Sequence, residues 1–557
     1  MNKELDLTHL DAGYTRKLNG IAMLHKKRYT EFVDSYSKEY GGCYMWWALP
    51  FSSRNLYLDN TFQDMCFLHL CGQIISEDKE LKRIVVGDKA LYETILINYR
   101  HKLANGKIEV ECTGDRLHFF AVIKNFFWAF KKLIVNFLRV WWYTKGEKYD
   151  IKEKMSLIEI SALSSNFVDG EYRDRYFSGL QDYVKRNIYY IPSLGENSSI
   201  GWKKYIFYIR NSRKYRFILK EKFLSIFDFF FLLKYFVYCT RMSLKKYKYD
   251  EMDVTPLLRN SLLKGSYCVP SLKGILNYRF MKHFKECGYR VDNLISWYEG
   301  RPSDVMLHKA FRECYKGVNC VGYEGYPLSE FTLSQYMSCE QIKQKSGPVK
   351  VAIPGVIFKK GATQFCETVE YIYVPILRNK YELIASNQKT DRKKKRLLVI
   401  LPYFIEYAAI MLKILNQYMQ LNPDSFQIII KNHPVNDTMR VEDYSKEKYG
   451  FEPAYIKDEL QACLCDIDVA YTAYSTSTLE VVCQNVFLIN LCPPGKLRNT
   501  GAPDGIGEKY YKVVYDELEV FEALDMALQM ESKNKNGMDF TELLEPVNKE
   551  TVNRMWE

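Results

Sequence analysis

From Arg396 to about Met530, short apolar runs alternate with stretches of helical spacing, and this alternation constrains the fold more than any other feature. LLVILPYF reads as a strand, IEYAAIMLKILNQYMQL as a helix and FQIIIKNHP as a strand ending in a polar turn. ELQACLCDID is a helix running into the strand VAYTAY, and STSTLEVVCQ opens a further helix. VFLINL is another strand, and KYYKVVYDELEVFEALDMAL closes with strand and helix. Strands that alternate with helices imply a parallel sheet with right-handed crossovers. Ligands bind such sheets at the carboxyl ends of the strands.

The same rhythm is present earlier, with an interruption. Leu81 to Asp88 reads as a strand and turn, and KALYETILINYRHKL follows with helical spacing. From about Val254, HFKECGY is a helix end with a glycine stop, VDNLISWYEG a strand ending in Glu299-Gly300, and SDVMLHKAFRECY a helix capped by Ser303 or Asp304. VNCVGYEGYP, VKVAIPGVIF and EYIYVPIL are further strands. Between them, the region from about 116 to 247 reads as a helical, aromatic and basic insertion. His118 to Tyr143 and Phe223 to Cys239 are nearly long enough to span a membrane, but Lys124, Lys131, Lys132 and Arg139 interrupt the first, Asp228 and Lys234 the second. Central charges are costly in a span, so two readings stay open: interfacial amphipathic helices, or core helices whose lysines reach out to water.

The chain has 557 residues, too many for one ordinary core and enough for two domains with accessory helices. At 47% hydrophobic and 26% charged residues it is a folded protein, not a disordered one. A net charge of +12 favours an anionic membrane surface or a phosphate-bearing substrate; no nucleic-acid module is recognisable. Fifteen scattered cysteines without a CxxC pair fit reduced thiols in a cytoplasmic protein. The N-terminal stretch lacks the apolar core of a signal peptide, and Asn197-Ser198-Ser199 is read as a chance sequon.

Two motifs stand at strand ends in the C-terminal half. Lys431-Asn432-His433-Pro434 directly follows FQIII. Pro434 restrains the residue before it, so His433 can donate to a phosphate oxygen, with Lys431 adding charge. Ser475-Thr476-Ser477-Thr478, with Glu480 beyond, follows VAYTAY and opens a helix, where unpaired N–H groups favour an anion. One hydroxyl would serve as a cap, so four suggest phosphate binding. The alternatives are a loop His-Pro without a role and plain capping.

Strand–KNHP followed by strand–STSTLE resembles the His-Pro and Ser-Ser/Thr motifs of bacterial sialyltransferases, polysialyltransferases and capsule Kdo transferases. The resemblance covers the C-terminal domain and extends only loosely to the N-terminal half. It implies the GT-B fold, an α/β architecture of two Rossmann-like domains with the nucleotide sugar in the cleft. By that resemblance His433 and Ser475, Thr476, Ser477 and Thr478 hold the nucleotide phosphate; from the residues themselves Lys431, Pro434 and Glu480 are counted in the same donor site, Glu480 as a ribose ligand with a structural first-turn acid as its alternative. The family's general base is a carboxylate in an acidic-acidic-Gly motif. The nearest match is Tyr298-Glu299-Gly300, with Tyr323-Glu324-Gly325 second, and neither has the doubled acid. Glu299 is therefore the candidate base, the alternative being a turn acid paired with Arg301.

On this reading the N-terminal Rossmann-like, acceptor-side domain spans 1–385 and includes the insertion. A linker occupies 386–396, the nucleotide-sugar domain 397–535 and a tail 536–557. The expected activity is transfer of a sugar from a nucleotide donor, CMP-linked by the resemblance, to a surface polysaccharide or lipid-linked glycan. It is expected to occur at the cytoplasmic face of the inner membrane, with no bound metal or other cofactor and no nucleic-acid partner. The other readings are a CDP-glycerol-type glycerophosphotransferase, which would call for a second catalytic histidine in the N-terminal half, and a non-catalytic membrane-surface assembly protein with a degenerate nucleotide fold. Trp46 to Arg54 is a further candidate, for an acceptor site or a packed N-terminal strand and turn. Asp466-Ile467-Asp468 reads as a helix–strand junction, Lys359-Lys360-Gly361 as a basic turn, and Pro493-Pro494-Gly495-Lys496 as a turn that could close over a nucleotide.

Overall fold

The computed structural model describes residues 3–557 except 146–148, 150, 152, 163–165, 169–170, 195–200, 327–328, 379–393, 434–450, 452, 457–459, 476, 503–505, 507–509 and 531–543. Most of the linker, the sequon, Pro434 and Thr476 thus lie outside the described residues.

Two six-stranded parallel sheets organise the chain. The C-terminal sheet comprises β14 (Lys395–Ile400), β15 (Phe426–Lys431), β16 (Ala454–Tyr455), β17 (Val469–Thr472), β18 (Phe487–Leu491) and β19 (Tyr511–Val514). Its spatial order, β16-β15-β14-β17-β18-β19, is the doubly wound order 3-2-1-4-5-6. The N-terminal sheet comprises β4 (Met155–Ala162), β7 (Ile188–Leu194), β10 (Val291–Trp297), β11 (Asn319–Tyr323), β12 (Lys350–Ile353) and β13 (Glu370–Tyr373), in the order β13-β12-β11-β10-β4-β7. This is the fold class expected: α/β, two Rossmann-like domains built on parallel sheets.

The stretch 116–247 differs from the expected helical insertion. Its helices are present: α4 (Phe119–Tyr143), α5 (Trp202–Asn211) and α6 (Phe230–Ser243). The same stretch also supplies β4 and β7, two strands of the N-terminal sheet, and the small hairpin β5 (Phe167–Val168) and β6 (Glu171–Tyr172). MSLIEISA is buried along almost its whole length, as a strand covered on both faces is. The basic, aromatic sequence around it hid this run.

A third, smaller parallel sheet of β1 (Lys3–Asp6), β2 (Leu81–Val86) and β3 (Glu109–Cys112) opens the chain. It carries the helices α1 (Ala12–Tyr40), α2 (Thr61–Glu77) and α3 (Lys89–Gly106), α3 being capped by Asp88. A two-residue hairpin, β8 (Lys248–Tyr249) with β9 (Met252–Asp253), precedes α7 (Val269–Glu286) and α8 (Pro302–Cys314). Asp304 does not cap α8 from the N-cap position; it lies in the first turn and accepts from the backbone N–H of Arg301. In the C-terminal domain, α9 (Ile405–Leu421), α10 (Thr478–Cys483) and α11 (Glu517–Gln529) flank the sheet. Residues 544–557, expected as a tail, return to the N-terminal domain. There α12 (Lys549–Asn553) brings Val552, Met555 and Trp556 into its core, and the carbonyl of Met555 accepts from Asn319 at 3.0 Å.

Several smaller expectations change. Trp46 and Trp47 are fully buried in a 3-10 turn and donate to Ser37 and to the Gly41 carbonyl, both at 2.9 Å. Arg54 is buried too, bonded to the carbonyl of Tyr336 at 2.7 Å and to Gln341. That segment is core, in helical turns instead of a strand, and unavailable to an acceptor. Lys359-Lys360-Gly361 lies within the helix Val356–Thr363. Cys339 and Cys366 form a disulfide, so the expected set of fully reduced thiols is corrected at one pair.

Candidate functional site

In the C-terminal sheet β14 lies between β15 and β17, with Ile400 opposite both Lys431 and Thr472. The KNHP and STST motifs therefore flank one strand at the same carboxyl edge, about 10 Å apart across two strand spacings. The order reverses between β14 and β17, and ligands bind doubly wound sheets at that switch point. A chain of rings links the motifs: His433 to Tyr403 at 5.5 Å, Tyr403 to Phe404 at 5.4 Å, Phe404 to Tyr407 at 5.2 Å, and Tyr407 to Tyr474 at 5.3 Å. Tyr474, just before Ser475, has φ +50°, a left-handed conformation held by its hydroxyl on the Leu497 carbonyl.

The hydroxyl run is less available than its composition suggests. Thr478 is buried and donates to the Ser475 carbonyl at 3.1 Å, while the Ser475 hydroxyl accepts from the Ser477 N–H at 3.2 Å. The helix they open has six residues, too short for a large dipole. Glu480 stands in its first turn, where it helps burial raise the Cys483 thiol. Lys431 ends β15 half-buried, and His433 is half-buried beyond it.

The structure supplies cations that the sequence reading missed. Burial lowers the His433 pKa below its ordinary value, and two guanidiniums, Arg175 and Arg378, lower it further. Both belong to the N-terminal half. Arg175 follows β6, and Arg378 follows β13 with its guanidinium 5.8 Å from the Tyr176 ring. Burial also lowers Arg175, and Arg378 adds to the effect as a like charge. Two guanidiniums of the N-terminal half thus act on an imidazole of the C-terminal half, a combination of donors that suits an anion. Nothing in the local spelling, RDRYF or ILRNK, marks them.

Glu299 stands at the carboxyl end of β10. Gly300 turns the chain with φ +63°, and a Cβ there would lie 1.8 Å from the Ser334 carbonyl oxygen, so only glycine fits. The Glu299 carboxylate accepts from Trp297 Nε1 at 2.8 Å and pairs with Arg301 at 3.1 Å, which is the alternative weighed for it. Arg301 also faces Asp304 and Glu159, which together with Glu299 raise its pKa. Burial raises the pKa of both Asp304 and Glu159. Of the three carboxylates Glu299 is the accessible one, its side chain 36% exposed against 5% for Asp304. The Trp297 ring that holds it lies 4.3 Å from Tyr176, whose ring is also the neighbour of Arg378, and Arg378 acts on His433. Glu324, the second candidate, is fully buried with neither carboxylate oxygen hydrogen-bonded, and burial pushes its pKa well up. It is a core acid, out of reach of an acceptor.

Other motifs are structural. Asp466 pairs with Arg396 and Asp468 accepts from its N–H at 2.8 Å, as a helix–strand junction would. The Pro493 to Lys496 loop is docked on α1, where Thr15 accepts from the Gly495 N–H at 2.9 Å and Asn19 donates to the Lys496 carbonyl at 3.0 Å. His308 is buried between Ser296 and Cys320, which holds its pKa down at about 3. Among the described residues, no cluster of three or more His, Cys, Asp or Glu side chains is arranged to hold a metal ion, and no helix is long and apolar enough to cross a membrane.

No protein-family model matches the sequence, and no curated protein matches it. Solved structures of similar fold include a GtfA/B complex, 11% identical over 50% of this chain and 59% of that one, with a TM-score of 0.35. A variant of the wall teichoic acid polymerase TagF is 9% identical over 79% of this chain and 97% of that one, with a TM-score of 0.36. The UDP-GlcNAc 2-epimerase of Methanocaldococcus jannaschii, in complex with UDP-GlcNAc and UDP, is 12% identical over 72% and 98%, with a TM-score of 0.38. These likenesses concern the fold alone.

Proposed function

We propose that the protein is a glycosyltransferase that moves a sugar from a nucleotide-linked donor, CMP-linked by the sequence resemblance, to a surface polysaccharide or lipid-linked glycan at the cytoplasmic face of a membrane. The observation that supports this reading is that Arg175 and Arg378 of the N-terminal half lie close enough to His433 to lower its pKa, with the accessible carboxylate of Glu299 on the same half as the arginines. The acceptor hydroxyl attacks the anomeric carbon and gives its proton to Glu299, while the bond to the donor phosphate breaks with its electrons leaving on oxygen. Arg175, Arg378 and the His433 N–H neutralise that leaving phosphate, and the sequence resemblance adds the hydroxyl run from Ser475, with Lys431 next to His433 as a further cation. Protein cations would then do the work that a metal does elsewhere.

Thermal unfolding with CMP, CDP, UDP and GDP tests the reading. A nucleotide at about 100 times its dissociation constant stabilises by roughly 2.7 kcal/mol. The shift should survive a chelator and shrink in Arg378→Ala. If none of the four nucleotides moves the transition, there is no donor site.

A further inference from the structure

The face that α4 turns to solvent is unlike the rest of the surface. Its buried side is an apolar stripe of Val122, Phe126, Ala129, Leu133, Phe137 and Val140. The opposite side exposes Phe120 (85%), Phe127, Trp128, Trp141 and Trp142 (68%), interleaved with Lys124, Lys131 and Arg139. From Arg116 to Lys145 there is no acidic residue. Large aromatics are ordinarily covered in a protein that meets only water, and rings alternating with cations suit the headgroup layer of an anionic bilayer. Phe227 and Phe230, at the start of α6, extend the patch, and α6 packs on α4 through Phe126 and Phe236, whose rings are 4.6 Å apart.

Within this face, α4 and the start of α5 enclose a groove of about 400 Å³ lined by Trp128, Lys131, Lys132, Asn136, Arg139 and Trp202. Lys132 lies 5.2 Å from the Trp128 ring, and the Arg139 guanidinium 6.0 Å from that of Trp202, so the aromatic walls help to hold two of the cations. No lining residue is acidic. We propose that this groove is a binding site for the phosphate headgroup of an anionic phospholipid, with the exposed rings of α4 inserted beside it. This rests on the membrane-surface reading above and adds a defined site to it.

The groove also has a position relative to the crevice. It shares Asn136 and Trp202 with an inner cavity that reaches Lys220 and Ser193. Lys220 donates to Ser193 at 2.9 Å, Ser193 donates to Glu159 at 2.6 Å, and Glu159 faces Arg301, the partner of Glu299. A lipid held here lies against the same half of the molecule that presents the candidate base, which suits a lipid-linked acceptor.

Flotation of the full-length protein with vesicles of phosphatidylglycerol and of phosphatidylcholine tests the site. Wild type should float with the first, less so as salt rises, and much less with the second. Lys131→Gln/Arg139→Gln should lower the phosphatidylglycerol affinity by about 30-fold, from about 1 kcal/mol per cation at an anionic surface, and Trp128→Ala should lower it as well, with thermal unfolding unchanged in both. Glycerol 1-phosphate should fail to displace the vesicles, whereas displacement would mean a soluble phosphate site and overturn the lipid assignment. Wild-type flotation that the groove variants leave unchanged would overturn the groove while sparing the membrane reading. No flotation of wild type with either vesicle would overturn both.

Discussion

His433 is a half-buried imidazole set among charged neighbours. Burial and the two guanidiniums keep it neutral near pH 7, able to donate one N–H. Removing a like charge favours the protonated form, so Arg378→Ala should raise the His433 pKa, read by proton NMR with His433→Gln to assign the signal. Bound phosphate should raise it too, so nucleotide affinity should strengthen as pH falls through that pKa, and the extra pH dependence should vanish in His433→Gln. A pKa that does not move in Arg378→Ala would separate the two groups. Sequence reading singled out His433 and Glu299 as candidates because each follows a recognisable strand. It had no signal for Arg175 or Arg378, which follow β6 and β13 and come near His433 only through the fold. It overvalued Thr478, whose hydroxyl serves the turn.

Among the elements, the strands of the C-terminal sheet were legible because each is an apolar run bounded by polar turns, and β14, β15, β17, β18 and β19 fall where those runs predict. Strands β4 and β7 were not, since they lie between α4 and α5, whose basic and aromatic residues set the character of the whole region. The hairpin β5–β6 ties these helices to the site: Phe167 packs on Tyr205 of α5 at 5.2 Å, and Arg175 follows three residues after β6. The turn after β10 is the most constrained junction. Gly300→Ala sets a methyl against the Ser334 carbonyl in a left-handed turn, so the turn must shift and carry Glu299 with it. The expected cost is about 2 kcal/mol or more, seen as a lower denaturation midpoint, together with loss of transfer even where the protein remains folded. A fully active Gly300→Ala protein would remove Glu299 from the mechanism.

At the scale of the whole molecule, the two sheets were predictable from the rhythm of the chain, but how they are joined was not, because the contacts come from residues hundreds of positions apart. The loop after β18 docks on α1, and Arg498 pairs with Glu330 at 2.6 Å, Glu330 also accepting from Thr500 at 3.0 Å. Asn499 donates to Tyr57 at 3.0 Å, and Tyr57 in turn feels the Glu299 carboxylate, so this joint ties the C-terminal loop to the neighbourhood of the candidate base. Glu330 is almost fully buried and is the one carboxylate paired with Arg498 among the described residues. Removing one member of such a pair strands the other charge, at about 3 kcal/mol. Glu330→Ala should therefore loosen the joint without touching either site. Calorimetry should show unfolding at a lower temperature or in two steps, and nucleotide affinity should fall together with transfer, because Arg175 and Arg378 would reach the phosphate from the N-terminal half. If nucleotide affinity stayed at the wild-type level while transfer dropped, the arginines of the N-terminal half would have no part in holding the phosphate.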